Sequence, residues 1–512
     1  MFDITFHHGG DMSATKATKA VKSRKKVSVG APKADPKPNL DWTLLLSGSR
    51  RPKEDSRGFE PLPTADARTD HERDLDRVVF CTPVRRLKDK TQVFPLDMHD
   101  GVRTRLTHSL EVSNLARSMG IAVTARIPDL KAIPDAMRNV PALLSTIALT
   151  HDLGNPPFGH QGEVAIRTWV EQNEPAIKAE AKKSFSRELL KDFLNFEGNA
   201  QGFRILARLQ HQDHRTGLRL TASTLRAFMK YPWMSTEVGK PGVKKFGVFS
   251  SEKDIFEWAS AETGLSTGQR HPLSYLMEVC DDIAYSILDI EDAVKKEIVS
   301  VAEFASYVGN HPKYNEDVRV SKMLTQYNHD RKWLYSLRMP GAGPEEVQPL
   351  SSKEIRDSQI DILRSYVIGL MVGDAIESFI RLENKRDFQR LKKGIAEDFE
   401  SKNLVDVLKE FARLRVYSHP SVLRAELQGH SVIPELMGAF WKAVVSEAHG
   451  VSCKAEDYLF SKLSPNYVRV YRQSTSLPLW YRQLQLVCDH VCGMTDSYAL
   501  RLHAELKELS VI

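Results

Sequence analysis

The sequence predicts an all-α fold. Three observations carry that expectation. Beyond about residue 71, apolar residues recur at three- and four-residue spacing in segment after segment. Strand-like alternation is scarce, and no internal repeat is visible.

Taken in order, residues 1–40 read as a disordered basic tail. The stretch KATKAVKSRKKVSVGAPKADPK at 16–37 is rich in lysine and has no aromatic residue. Such an arm suits weak, salt-sensitive contact with a polyanion such as nucleic acid. Residues 41–70, with their Arg, Asp, Pro and Gly, read as an extended lead-in. Helical patterns follow. In 106–119 the apolar residues are Leu106, Leu110, Val112, Leu115 and Met119, and 141–150 (PALLSTIALT) is apolar enough to be buried. Packed helices are expected at 272–294, 354–382 and 479–509. The segment VKKFGVF at 243–249 is the best candidate for a short hairpin element. Residues 308–350, polar and with Gly and Pro near 340–344, read as an insertion or mobile excursion. The expected division is a catalytic core at 71–300 and a helical C-terminal region at 301–512 packed on it.

Composition bounds the class. A chain of 512 residues, 41% hydrophobic, can bury a large core. No apolar run approaches the roughly 18 residues that span a bilayer, and no signal-peptide pattern opens the chain. The cysteines number five, an odd count, and no C-x-x-C occurs, which argues against a disulfide framework or a cysteine zinc site. A reducing cytoplasm fits best. The formal net charge is +6, and much of the excess lies in the N-terminal tail.

The most informative segment is HDLGNPPFGHQGE at 151–163. Adjacent His151 and Asp152 can offer an imidazole nitrogen and a carboxylate oxygen to one cation. Gly154, Pro156, Pro157 and Gly159 then turn the backbone. His160 and Glu163 follow at i, i+3, on one helical face. Ligands, a turn and an acid/base pair in this order suggest metal-assisted hydrolysis. A two-His, two-Asp site needs two further ligands. His108 is one candidate, although a lone helical histidine is more often structural. It shares a helix face with Arg105, three residues before it. The other lies in EVCDDIAYSILDIED at 278–292, whose acids are hard to explain as packing because an unpaired buried carboxylate is costly. Asp281, Tyr285 and Asp289 fall at i, i+4 and i+8 on one stripe, and Asp282 starts a different face.

The order H…HD…D, together with seven ordered blocks over roughly 70–500, resembles the deoxyguanosine triphosphate triphosphohydrolases (dGTPases) of the HD-domain metal phosphohydrolases. The blocks are FCTPVRRLKDKTQVFPL at 80–96, RTRLTHSLEV at 103–112, HDLGNPPFGHQGE at 151–163, NFEGNAQGFR at 195–204, MKYPW at 229–233, DDIAYSILDIEDA at 281–293 and GMTDSYAL at 493–500.

The resemblance implies an HD-domain helical bundle with additional C-terminal helices and at most a short β-hairpin. It implies metal ligands His108, His151, Asp152 and Asp281, and one divalent ion such as Mn2+, Mg2+ or Fe2+. It implies hydrolysis of dGTP, or of dNTPs more broadly, to deoxynucleoside and intact triphosphate, an activity that controls dNTP pools. On that pattern His160 protonates the leaving 5′ oxygen and Glu163 orients it. Arg105 and Lys230 meet the phosphates, Tyr285 packs on the deoxyribose and excludes a 2′-hydroxyl, and Asp289 and Gln92 bind the 3′-hydroxyl. Relatives form ring-like homo-oligomers, often hexamers, some regulated by nucleotides. One departure stands out: many relatives read G-L-N-L-T where this chain has Gly217-Leu218-Arg219-Leu220-Thr221. If that amide lies near the nucleotide, Arg219 changes base preference. The alternatives are a broad dNTP triphosphohydrolase activated allosterically by nucleotides, another HD activity such as a nucleotidase or phosphodiesterase, and a nucleotide- or nucleic-acid-binding regulator with little activity.

Overall fold

The computed structural model describes residues 40–51, 66–94, 101–210, 217–336, 350–391 and 394–512. The N-terminal basic tail lies outside the described residues. Helices dominate. Among the described residues the only bridges are Thr91 with Thr104 and Met234 with Val248, both isolated. The 243–249 segment therefore forms no hairpin. Val248 instead meets Met234 in a single parallel bridge, while Val243, Phe246, Val248 and Phe249 are all buried.

The helices that frame the site are α1 (Asp70–Val79), α2 (Arg105–Arg126), α3 (Ala136–Thr150), α4 (Gly159–Gln172), α5 (Gly198–Arg204) and α6 (Pro272–Lys295). The later ones are α7 (Val318–Ser336), α8 (Ser352–Lys385), α9 (Lys402–Phe411), α10 (Pro420–His449), α11 (Leu479–Cys492) and α12 (Asp496–Glu508). α2, α3 and α6 pack on one another, and α8 covers α6 and α2 from the C-terminal side. α10 packs against α4, α11 and α12.

α2 starts where Thr104 accepts a hydrogen bond from the Thr107 backbone N–H, a capping box that satisfies the first turn. Its stripe Val112, Ala116, Met119 and Val123 is fully buried. α6 is buried almost all round, as expected of the innermost helix of a bundle.

Two expectations need correction. Much of the 308–350 stretch is helix rather than excursion: in α7, Val320, Met323, Tyr327 and Leu334 recur on one face and pack in the core beside α8. The sparse apolar positions among many polar ones hid that face. Residues 337–349 lie outside the described residues. The 479–509 stretch is two helices, broken at Gly493-Met494-Thr495, where Thr495 caps α12 by accepting from the Tyr498 N–H. Near the start of the chain, Trp42–Leu45 forms one helical turn, and the Trp42 indole donates to Glu383 of α8 at 2.9 Å.

Candidate metal centre

The centre forms where α3 ends beside α2 and α6. His151 follows the last residue of α3 and turns back, its Nδ1 donating to the Ala148 carbonyl at 2.6 Å. That leaves Nε2 facing inward. It makes no hydrogen bond and lies 3.5 Å from Asp281 Oδ1 and 3.6 Å from Asp152 Oδ2. From α2, His108 Nε2 reaches Asp281 Oδ1 at 3.0 Å. The ligand atoms of His108, His151 and Asp152 all lie within 4.8 Å of one another.

This cluster passes a physical test as a cation site. Two carboxylates and an imidazole lone pair converge, and something positive must hold them together. Burial by itself would lower the His151 pKa, but Asp152 and Asp281 outweigh it and raise it to about 9. Burial would likewise raise Asp152, yet Arg105 and His151 bring it down to about 2. Asp281 also lies well below the ordinary carboxylate range: His151 and His108 overcome its desolvation. A divalent ion at 2.0–2.2 Å from such ligands sets neighbouring donors about 3 Å apart, close to the spacings found here. The donor set of two imidazoles and two carboxylates suits Mn2+, Fe2+ or Mg2+.

The turn after His151 is held by a backbone crossing. A Cβ on Gly154 would sit 1.9 Å from the Gly198 carbonyl oxygen and 2.1 Å from the Gly202 nitrogen, so only glycine lets the loop cross α5. Asn155, at the next position, donates to Asp152 Oδ1 at 2.6 Å, and Arg105 donates to Asp152 Oδ2. A Cβ on Gly159, at the start of α4, would sit 2.9 Å from the Arg105 guanidinium, so glycine there leaves that side chain its room.

His160 and Glu163 form the second group. His160 Nδ1 is 3.1 Å from Glu163 Oε2, and the Gly198 N–H donates to the other carboxylate oxygen at 2.7 Å. The His160 side chain is 80% exposed, whereas Glu163 is buried. The hydrogen bond to Glu163 raises the His160 pKa, and partial desolvation opposes it. Glu163 is held below its ordinary value: His160 and the Gly198 N–H outweigh burial.

Three residues around this pair escaped sequence reasoning. Lys245 pairs with Glu197 at 2.9 Å. Lys245 and Lys230 each lie 5.7 Å from the Tyr231 ring, which they flank. Lys230 itself pairs with Glu278 at 2.9 Å. Tyr231 was visible inside MKYPW. Lys245 had no signal, because it meets this region only through tertiary folding.

The acids of α6 sort themselves by partner. Glu278 pairs with Lys230 and Arg270, and Asp282 with Lys409. Glu291 pairs with Arg103, Lys295 and Arg364, and Asp292 with Arg103. Four of these six carboxylates are thus satisfied as packing ion pairs. Among the described residues, Asp281 and Asp289 alone pair with neither lysine nor arginine. Asp289 accepts from the Tyr417 hydroxyl at 2.5 Å, and burial pushes its pKa up to about 7 against that hydrogen bond. The Tyr417 ring stacks on Tyr285, centroids 5.6 Å apart and planes at 23°. Tyr417, from the C-terminal region, thus completes the stripe Asp281–Tyr285–Asp289. No sequence signal marked it, because no local spacing connects 417 to 285 and 289. Gln92 is partly buried, and its Oε1 is enclosed without a hydrogen-bond partner among the described residues.

Arg219 also has a backbone role that its substitution did not suggest. It sits at φ +50°, left-handed backbone that asparagine tolerates better than most residues, and its carbonyl is gripped by Arg50 and Arg77.

A helical bundle that gathers His, His-Asp and Asp around one cation site defines the HD class of phosphohydrolase fold. The HD domain model matches residues 105–285, and the phosphohydrolase-associated domain model matches 397–505. Similar proteins include a deoxyguanosinetriphosphate triphosphohydrolase-like protein of Listeria innocua, 34% identical over 488 residues, covering 92% of this chain and 100% of the relative. Proteins of the same description from Pseudomonas aeruginosa and a Synechocystis species are 30% and 32% identical. They cover 91% and 92% of this chain, and 98% and 100% of their own lengths. The chain belongs to the deoxyguanosinetriphosphate triphosphohydrolase-like family of HD-domain hydrolases.

Proposed function

We propose that this protein hydrolyses dGTP, and other dNTPs less well, to the deoxynucleoside and intact triphosphate. The observation that carries this reading is the stripe on α6. A metal-ligand candidate, an aromatic ring and a buried acid lie in line on one helix, and Tyr417 closes the far end. That is the layout for a triphosphate at one end and a deoxyribose at the other.

In the reaction, water oxygen bonds to the α-phosphorus, the bond to the 5′ oxygen breaks, and that oxygen takes up a proton. A divalent ion held by His108, His151, Asp152 and Asp281 supplies charge neutralisation at the phosphate and acidifies the attacking water. The remaining work falls to side chains. His160, kept protonated by Glu163, gives its proton to the leaving 5′ oxygen. Arg105 orients Asp152 and offers its other N–H groups to the α-phosphate. Lys230, with Lys245 beside it, neutralises the outer phosphates. Tyr285 packs under C2′ and leaves no room for a hydroxyl, and Asp289 and Gln92 take the 3′-hydroxyl.

Assay of the four dNTPs and GTP, singly and mixed, with Mn2+ or Mg2+, tests the reading. The expected result is turnover of dGTP to deoxyguanosine and triphosphate. Release of Pi or PPi instead would overturn it. Turnover only in mixtures would mark a broader, nucleotide-activated enzyme, and absence of turnover a binding regulator. A His160→Ala variant should lose roughly 10²–10⁴-fold in rate. By its relatives' habit the protein works as a ring-like homo-oligomer, which light scattering would measure. No helix among the described residues is long and apolar enough to cross a membrane.

A further inference from the structure

Behind His160 lie two buried glutamates rather than one. Glu163 accepts from the N–H of Gly198, and Glu197 is the residue just before that glycine. Both carboxylates are almost wholly enclosed. Residue 198 is confined between them and the loop: a Cβ there would sit 2.4 Å from Asn155 Oδ1 and 2.8 Å from Glu163 Oε1. Like charges so placed disfavour one another, and each needs a positive partner of its own. Glu163 has His160 at 3.1 Å. Glu197 Oε1 accepts from Lys245 Nζ at 2.9 Å and from the Asn199 side-chain amide at 3.1 Å.

Lys245 is a rival to His160. Burial pushes the Glu197 pKa up, the Glu163 charge pushes the same way, and Lys245 opposes both. The Lys245 charge also acts on Glu163 and, in the unfavourable sense, on protonated His160. An ammonium on a flexible four-carbon stem is charged at any working pH and can take a carboxylate that an imidazole holds only while protonated. The other groups on this face are engaged elsewhere. Arg105, from α2, donates to Asp152, and Arg167, one turn beyond Glu163 on α4, donates to the Phe196 carbonyl at 2.8 Å. His430, from α10, bonds Gln161 at 2.8 Å, and burial keeps the Cys492 thiol of α11 neutral.

We propose that Glu197 is a positioning residue for the His160–Glu163 pair: by holding Lys245, it keeps Glu163 for His160. An ion pair with one buried member and one 41% exposed is a poor source of stability, because burying a carboxylate costs about as much as such a pairing returns. Its value lies in where it keeps the ammonium. The catalytic consequence rests on the reading of His160 as proton donor; the contest for Glu163 does not.

The exposed imidazole of His160 allows a test that needs no turnover. Only neutral imidazole reacts with diethyl pyrocarbonate, so the pH dependence of His160 modification, followed by peptide mass spectrometry on full-length protein without nucleotide, reports its pKa. In Glu197→Gln, Lys245 turns to Glu163, and the His160 pKa should fall by about one unit. In Glu197→Gln/Lys245→Met the rival is gone, and the pKa should return toward the wild-type value. A merely structural role for Glu197 gives no such rescue, since loss of a surface lysine does not repair a disturbed fold. An unchanged pKa in Glu197→Gln, or a fall that the second substitution does not reverse, overturns the proposal. The alkaline limb of dGTP turnover in Glu197→Gln should move to lower pH together with the pKa. A pKa that falls and is rescued while the limb stays in place upholds the positioning and removes His160 as the proton donor, so the two failures are distinct.

Discussion

Glu163 shows how one buried carboxylate sets the behaviour of an exposed neighbour. It holds His160 on one oxygen and is itself anchored by the Gly198 N–H on the other. The shift of His160 is upward, so the imidazole stays protonated to higher pH than a free one. A general acid works only while protonated, so activity should fall as pH rises through the raised pKa. Glu163→Gln removes the cause of the shift. The alkaline limb of the kcat profile should then move to lower pH, and a limb that stays in place would show that His160 is not the proton donor. The two adjacent aspartates of α6 offer a second contrast. Asp281 faces His108 and His151, while Asp282 pairs with Lys409. Metal content measured by mass spectrometry should drop sharply in Asp281→Asn and stay near wild type in Asp282→Asn.

At the scale of elements, the site depends on how a loop crosses a helix. The turn 152–158 runs against α5 at backbone contact, and α5 supplies through Gly198 the N–H that anchors Glu163. Gly154→Ala puts a methyl carbon into the Gly198 carbonyl and must push the two apart. Overpacking of this kind costs about 1–3 kcal/mol or more. The midpoint of urea unfolding should fall, and turnover should fall further than stability does, because both Asp152 and Glu163 lose their settings. Activity retained at the wild-type level would mean that the crossing does not set the geometry. α6 is the complementary element. Its buried acids stand where arginines and lysines from the segment leading into α2, from α8 and from the 230 region can reach them, which explains how an apolar helix tolerates so many carboxylates.

At the scale of the whole molecule, the described residues fall in one contact-defined unit, and the two halves of the chain share the site. Tyr417, more than a hundred residues beyond α6, donates to Asp289 and stacks on Tyr285. Lys409 and Arg364, also from the C-terminal half of the chain, reach acids of α6. Tyr417→Phe keeps the ring but deletes the donor to a buried carboxyl. The KM for dGTP should rise severalfold with kcat little changed, and the stacking should keep discrimination against GTP. A matching loss in kcat instead would place Tyr417 in the chemical step rather than in sugar binding.

The sequence by itself determined the helical class, because 3.6-residue periodicity is a local property that survives without knowledge of the fold. It also singled out His108, His151, Asp152 and the stripe from 281 to 289, because a dipeptide, a turn and a four-residue spacing are local patterns, and a family resemblance tied them together. It could not show that α7 is a helix with a narrow apolar face, that Arg219 answers to a backbone angle, or which carboxylates of α6 are spoken for. Tertiary structure decided those matters. It brought Lys245 and Glu197 beside the His160 pair, set Tyr417 against Asp289, and, among the described residues, left only Asp281 and Asp289 of the six acids without a lysine or arginine. The physical reason is that charge pairing and burial depend on distance in space, and residues far apart along the chain carry no mark of which of them will meet.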